Sequence, residues 1–182
     1  MDVRTLLHSL AGYHHWATAR LLDAVDALDD TAYRRDLRLP FASVHGTLNH
    51  LLVVDRLWWA RLSGPSPVAV ALDAEVHGDR DALRADLLAE AGAWPARMAA
   101  EDPAALYAAH DYRRLDGGAM RLPRAPLLQH VFNHGTHHRG QVSAALTALG
   151  QPAPALDYVY FLQAAVAEAD APAPLPPASR TR

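Results

Sequence analysis

Residues 126–150 read PLLQHVFNHGTHHRGQVSAALTALG, and this stretch predicts a long helix that carries several imidazoles. A proline suits the first helical turn, where its missing N–H would have no partner. Gly150, followed by two further prolines, predicts the helix end. His130, His134 and His138 recur at steps of four, so they share one ridge of the helix. Two imidazoles one turn apart can share a metal ion, but three at steps of four cannot all reach one ion about 2.1 Å away.

A further ligand must therefore come from another helix, and the segment after Pro40 offers both His45 and His50. Ser43 is a candidate cap for this second helix. The chain has no cysteine, so any metal must be held by nitrogen or oxygen ligands. A single histidine on a helix is more often a solvated or core residue. These five histidines on two helices, beside apolar positions, favour a metal site because buried imidazoles need partners.

Apolar residues at steps of three and four predict further helices on either side. Pro95 lies inside one of them and is expected to kink it or split it in two. The turn signal Asp116-Gly117-Gly118 lies between short mixed segments, so a small β-hairpin is expected within residues 107–122. Four long helices bury their apolar stripes best as an all-α four-helix bundle. The predicted helices span Asp2–Leu28, Ser43–Ser63, Asp79–Ala100, Pro126–Leu149 and Leu156–Ala167.

Composition restricts the class of protein. The chain has 182 residues, of which 51% are apolar, enough for one domain, predicted at residues 1–168. The Pro- and Ala-rich residues 169–182 are expected to be disordered. Net charge is −3 and no long basic run occurs, so nucleic acid is not expected as a partner. No stretch of 18 apolar residues occurs, so a membrane span is not expected, and neither is a signal peptide. Together these expectations predict a cytoplasmic protein.

Two segments carry a resemblance to a known family. NHGTHHRGQ at 133–141, and GTLNH at 46–50 followed by DRLW at 55–58, resemble the DinB family of DinB/YfiT-like bundles. The resemblance implies four helices in up-down-down-up order, often paired as homodimers. It also implies one metal ligand from the second helix and two from a His-x-x-x-His pair on the last long helix. Carried over residue by residue, these ligands are His50, His134 and His138, whereas His45, His130 and His137 fall outside the pattern.

Three neutral imidazoles leave at least one position open on a divalent ion, which is typical of a catalytic site. Zn, Ni, Fe and Mn all suit this donor set. The resemblance implies an enzyme that activates a water or a low-molecular-weight thiol, as a thiol transferase or a hydrolase, on a small-molecule substrate. The alternative is a non-catalytic, metal-stabilised stress-response or binding protein.

Catalytic residues are not assigned by the sequence, but several supporting roles are expected. Asn49 and Asn133 are candidates to orient the imidazoles. Arg139 either binds a substrate carboxylate or makes a structural hydrogen bond. Trp58 and Trp59 are expected in the core or in a dimer interface. The residues expected to line a substrate pocket are Tyr13, Trp16, Arg139 and Tyr158.

Overall fold

The computed structural model describes residues 2–64 and 71–169. Within these ranges the chain forms six α-helices and one two-stranded antiparallel sheet. The helices are α1 (Val3–Val25), α2 (Asp30–Arg34), α3 (Val44–Ser63), α4 (Arg80–Ala100), α5 (Arg124–Ala148) and α6 (Tyr158–Ala169), and the strands are β1 (Ala109–Arg113) and β2 (Ala119–Pro123). The predicted disordered tail lies outside the described residues, apart from Ala169 at the end of α6.

Local sequence signals account for the starts of the long helices. The side chain of Asp2 accepts a hydrogen bond from the Thr5 backbone N–H, and Ser43 does the same for Gly46. These contacts satisfy N–H groups that the first helical turn leaves unpaired. Both residues therefore cap helices, Ser43 as the sequence predicts.

The directions of the four long helices follow from contacts at their ends. Arg4 at the start of α1 donates a hydrogen bond to the Ala99 carbonyl at the end of α4, so these helices are antiparallel. Trp59 near the C-terminal end of α3 and Trp94 near that of α4 have ring centroids 5.8 Å apart, so α3 runs parallel to α4. Arg124 at the start of α5 donates to a carbonyl in the last turn of α3, so α5 returns in the direction of α1. The predicted four-helix bundle with up-down-down-up order is confirmed.

The predicted hairpin is confirmed as well. β1 and β2 pair from Ala109 with Pro123 to Arg113 with Ala119. Gly117 adopts φ 84°, a left-handed conformation that glycine reaches without strain. The hairpin packs between the C-terminal end of α3 and the start of α5, because His110 on β1 donates to the Arg61 carbonyl at 2.7 Å.

One expected break does not occur. α4 continues through Pro95 without splitting into two helices. The neighbouring Trp94 is fully buried and Met98 is 1% exposed, so tertiary packing holds both sides of the proline in one helix. None of the described helices is both long enough and apolar enough to cross a membrane.

Candidate metal centre

Three imidazoles from two helices converge in the middle of the bundle. His50 lies on the second turn of α3, and His134 and His138 lie one turn apart on α5. Nε2 of His134 is 3.4 Å from Nε2 of His50 and 3.2 Å from Nε2 of His138. The antiparallel packing of α3 against α5 therefore brings an imidazole from another helix next to the pair on α5, as the sequence predicts for a shared ion.

These separations fit a single ion. Metal–nitrogen bonds of about 2.0–2.1 Å at tetrahedral angles place neighbouring donor nitrogens about 3.4 Å apart. The donor atoms of the three histidines all lie within 4.8 Å of one another. The cluster thus has the spacing of a three-nitrogen site for a divalent metal.

Hydrogen bonds at the opposite ring nitrogens fix the tautomers of two imidazoles. Nδ1 of His50 is 2.7 Å from the Leu72 carbonyl oxygen, which can only accept, so Nδ1 is the donor. Nδ1 of His138 donates to Oε1 of Gln141 at 2.8 Å, while the Gln141 amide donates to His137. Each neutral ring therefore has Nε2 free of hydrogen, as a ligand nitrogen must be.

Burial keeps these imidazoles neutral. Burial, reinforced by the neighbouring imidazoles, lowers the pKa of His134 to about 3. Burial likewise lowers the pKa of His138 to about 4, with the Gln141 contact acting in the opposite direction. The pKa of His50 is also lowered by burial and partly raised by its contact with Leu72. All three rings are deprotonated near neutral pH, the state in which imidazole binds metal.

An aromatic ring holds His50 in place on its other side. Phe41 stacks on the His50 imidazole with ring centroids 3.7 Å apart and an interplanar angle of 15°. A Cβ at Gly46 would lie 2.1 Å from the Phe41 carbonyl oxygen, so only glycine admits this close approach. The glycine of the GTLNH segment thus positions the ring that packs on the histidine of the same segment.

The second candidate from α3 belongs to a different network. His45 Nε2 lies 2.9 Å from Glu75 Oε1, and Nδ1 lies 3.3 Å from the Tyr33 hydroxyl. Asn49 contacts His45 and the backbone of His77, so it holds the chain before α4. The expectation that Asn49 orients the clustered imidazoles is therefore wrong. The structure brings His50, and not His45, to the histidines of α5.

A buried trio joins α1 to α3 and α5 next to the cluster. Arg139 Nη1 donates to His14 Nδ1 at 2.9 Å, which leaves the proton of a neutral His14 on Nε2, 2.8 Å from Asp55 Oδ2. All three residues are at most 4% exposed. A Cβ at Gly135 would lie 2.7 Å from the His14 ring, so the glycine after His134 permits this contact. Arg139 therefore has the structural role that the sequence left as one of two possibilities.

A cavity of about 510 Å³ adjoins the histidine cluster. His50 and His134 form part of its wall. The rest of the wall is mainly apolar and aromatic, with a few charged groups, and consists of Val54, Leu57, Trp58, Arg61, Leu72, Tyr112, Arg114, Leu115, Asp116 and His130. Its size is in the range of small-molecule sites, which are about 300–1,000 Å³.

The residues expected to line the substrate pocket do not lie on the wall of the cavity beside the histidine cluster. Tyr13 and Tyr158 line a separate cavity of about 270 Å³ beside α6, together with Asn133. Trp16 packs against Phe161 of α6, and Arg139 is in the core. Successive side chains on an α-helix point about 100° apart around its axis, so Arg139 cannot lie on the same face as His138. The pocket forms on the α3 and hairpin side of the cluster, which helical periodicity alone does not locate.

Comparison with known proteins identifies the family. The model of the DinB family matches residues 1–173. The chain belongs to the DinB family. Protein DinB of Bacillus subtilis (strain 168) is 24% identical over 154 residues, covering 82% of this chain and 90% of that protein.

Two solved structures of this type share the fold. One is YfiT from Bacillus subtilis, described as a probable metal-dependent hydrolase with an unusual four-helix bundle topology. It has a TM-score of 0.58 and 16% identity, covering 78% of this chain and 86% of YfiT. The other is a DinB-like protein from Bacillus cereus, with a TM-score of 0.58 and 18% identity, covering 77% of this chain and 90% of that chain.

Sequence reasoning assigned no role to several groups at this DinB-type centre. The role of Gln141 could have been found, because a side chain three residues after His138 lies on the same helical face. The contacts of Phe41 and of the Leu72 carbonyl come from loops outside α3. Loop geometry leaves no periodic signal in the sequence.

Proposed function

We propose that this protein is a metal-dependent enzyme that acts on a small molecule, with one divalent ion held by His50, His134 and His138. Zn, Ni, Fe and Mn remain the candidate ions. The observation that carries the proposal is that His50 and His134 form part of the wall of the 510 Å³ cavity. A small molecule in this cavity would lie next to the metal-binding nitrogens of the histidines. Catalysis requires such access, and a structural metal site lacks it.

When bound, a divalent ion supplies a Lewis acid that lowers the pKa of a water or thiol toward neutrality. The residues of the chain prepare the site for this chemistry. Leu72 and Gln141 hold two imidazoles with Nε2 free of hydrogen, and Phe41 fixes the plane of His50. The apolar wall limits water around the reacting group and strengthens electrostatic interactions there.

His130 is positioned to move a proton in this pocket. Its ring lies 5.8 Å from that of His134 and 5.0 Å from that of Trp58, on the cavity wall. Burial, with a smaller contribution from the Arg61 charge, lowers the pKa of His130. The ring is therefore a neutral base at neutral pH, and its pocket-facing position suits it to accept a proton from the activated water or thiol.

Two reaction types remain within the proposal. Hydrolysis is supported by the description of the relative YfiT as a probable metal-dependent hydrolase. Transfer to a low-molecular-weight thiol uses the same open position, since a thiol and a water are activated in the same way. A homodimer and a cytoplasmic location also belong to the proposal.

A non-catalytic role for the metal is the second candidate. The three ligands join α3 to α5, so a bound ion would cross-link two helices of the bundle. This role needs no cavity beside the ligands, and the cavity therefore favours the enzyme.

Cobalt substitution separates the two functions. We expect the visible spectrum of the cobalt-loaded protein to change when small thiols or carboxylates are added, because one coordination position faces the cavity. Turnover of a panel of ester, amide and thiol-acceptor substrates, compared between wild type and His134→Ala, then tests catalysis. If no added thiol or carboxylate changes the cobalt spectrum, the enzyme function is contradicted and the structural role of the metal is favoured.

A further inference from the structure

The cavity beside the histidine cluster contains a buried cation that no carboxylate in the described part of the chain neutralises. Arg61 is 7% exposed, and its Nε is buried without a hydrogen-bond partner in the described part of the chain. Among the described side chains of residues 2–64 and 71–167, no carboxylate lies within 4.0 Å of its guanidinium. Residues 65–70, PSPVAV, contain no acidic side chain either. Buried guanidinium groups are normally paired or hydrogen-bonded, and Arg61 has no such partner among the described residues, whereas the buried Arg139 donates to His14 and Thr136.

Two aromatic rings hold this guanidinium on the cavity wall. Its central carbon lies 4.8 Å from the Trp58 ring centroid and 5.5 Å from that of Tyr112. Contacts with ring faces stabilise the charge but leave the N–H groups without acceptors. The rings thus fix the position of Arg61 and leave the N–H groups of its two terminal nitrogens available to a ligand.

The charges on the cavity wall balance except at Arg61. Arg114 Nη2 lies 2.5 Å from Asp116 Oδ2, so this second arginine is already paired. One unbalanced positive charge remains, in a cavity whose other walls are mostly apolar.

We infer that Arg61 binds the carboxylate of an organic substrate whose apolar or aromatic body lies along Trp58 and whose reacting group lies at the three histidines. The rings of the wall lead from one end to the other, with steps of 4.8 Å from Arg61 to Trp58, 5.0 Å to His130 and 5.8 Å to His134. A carboxylate matches the planar guanidinium, which can donate two parallel hydrogen bonds. The inference rests on the proposed function, since it assigns a substrate class to the same site.

A monoanion fits this position better than a phosphate dianion. Arg61 lies in the last turn of α3, where the helix dipole places partial negative charge. One guanidinium in that environment balances one negative charge of the bound molecule, and a second negative charge would be repelled. The ligand class is therefore a carboxylic acid with an apolar body.

Matched probes test the inference on the full-length protein without metal, so that coordination of the carboxylate by the ion cannot contribute. The probes are 3-phenylpropionate and its uncharged amide, 3-phenylpropanamide, with binding followed by tryptophan fluorescence. We expect the acid to bind about tenfold or more tightly than the amide, as charge-assisted hydrogen bonds predict. Phenethyl phosphate should bind no tighter than the acid.

Variants assign the preference to one residue. Arg61→Met should abolish the preference for the acid, and Arg61→Lys should retain part of it. Arg114→Met, at the neighbouring arginine paired with Asp116, should leave the preference unchanged. Equal binding of acid and amide to wild type, binding of neither, or a preference that survives Arg61→Met would overturn the inference. Metal content is measured separately, so a failed metal site and a failed carboxylate site give different results.

Discussion

The three clustered imidazoles lie on α3 and α5, and each is expected to be needed for metal binding. We expect His50→Ala, His134→Ala and His138→Ala each to leave the purified protein with far less than one metal ion per chain. Removing one ligand from a three-nitrogen site leaves too few donors for stable binding. Elemental analysis of the purified variants measures this directly.

His137→Ala is the matched control for these variants, because His137 is exposed on the same helix and contacts only Gln141 and the His138 ring among the described residues. It should retain its metal. Full occupancy in the His50 variant would show that the assignment of ligands is wrong.

Gln141 acts on the metal through His138. Gln141→Leu removes the acceptor for Nδ1–H of His138, so the ring loses its fixed tautomer and orientation. We expect a loss of metal affinity of about 10- to 100-fold, the usual effect of removing such a partner. Competition with a coloured chelator measures the affinity. Gln141→Glu keeps an acceptor oxygen and should bind metal nearly as wild type does; equal affinities for the Leu and Glu variants would contradict this role.

The lowered pKa values of the cluster make the metal-free protein sensitive to acid. His134 and His138 have a pKa of about 3 and about 4 in the folded chain, against 6.5 as the ordinary value. Below about pH 6.5 the unfolded chain therefore binds more protons than the folded chain, and the free energy of unfolding falls as the pH decreases toward 4. Urea midpoints of the metal-free protein should be lower at pH 5 than at pH 7.

The double variant His134→Gln/His138→Gln should lose less stability between these two pH values, since it lacks the two groups that take up protons on unfolding. His137→Gln serves as the control and should behave as wild type. A wild-type midpoint at pH 5 equal to that at pH 7 would refute the pH dependence.

Among the helices, α1, α3 and α5 are joined by the buried trio of His14, Asp55 and Arg139. We expect Asp55→Ala to lower the free energy of unfolding by about 3 kcal/mol, because it leaves a buried arginine without a compensating charge. Urea unfolding at neutral pH measures the loss.

An exposed pair provides the comparison for this variant. Asp111 and Arg121 pair across the hairpin at 3.0 Å, with both side chains more than two thirds exposed. Asp111→Ala should cost less than about 1 kcal/mol. Similar losses in Asp55→Ala and Asp111→Ala would mean that the buried trio has no special role in joining the helices.

For the whole molecule, a homodimer remains a prediction from the family resemblance. Trp58 is 8% exposed and lies in the core, and the partly exposed Trp59 packs against Trp94 and Arg97 of its own chain. Light scattering should give a mass of about twice the 19.8 kDa of one chain at micromolar concentration. A mass near that of one chain at every concentration would contradict the dimer.

The sequence by itself determined the helices and the ligand pair on α5. Helix starts are local features, because Asp2 and Ser43 cap helices within three residues of themselves. The spacing of His134 and His138 is likewise local, as one turn of helix separates them whatever surrounds it. For the same reason the hairpin could be predicted from its turn residues.

Only the tertiary structure decided the rest of the site. The sequence offered His45 and His50 equally by residue type, and the packing of α3 against α5 brings His50 to the cluster while His45 meets Glu75. The same packing placed Arg139 in the core and Arg61 on the cavity wall, although the sequence favoured Arg139 for the pocket. Which face of a helix meets which neighbour depends on contacts between distant residues, and periodicity within one helix carries no information about them.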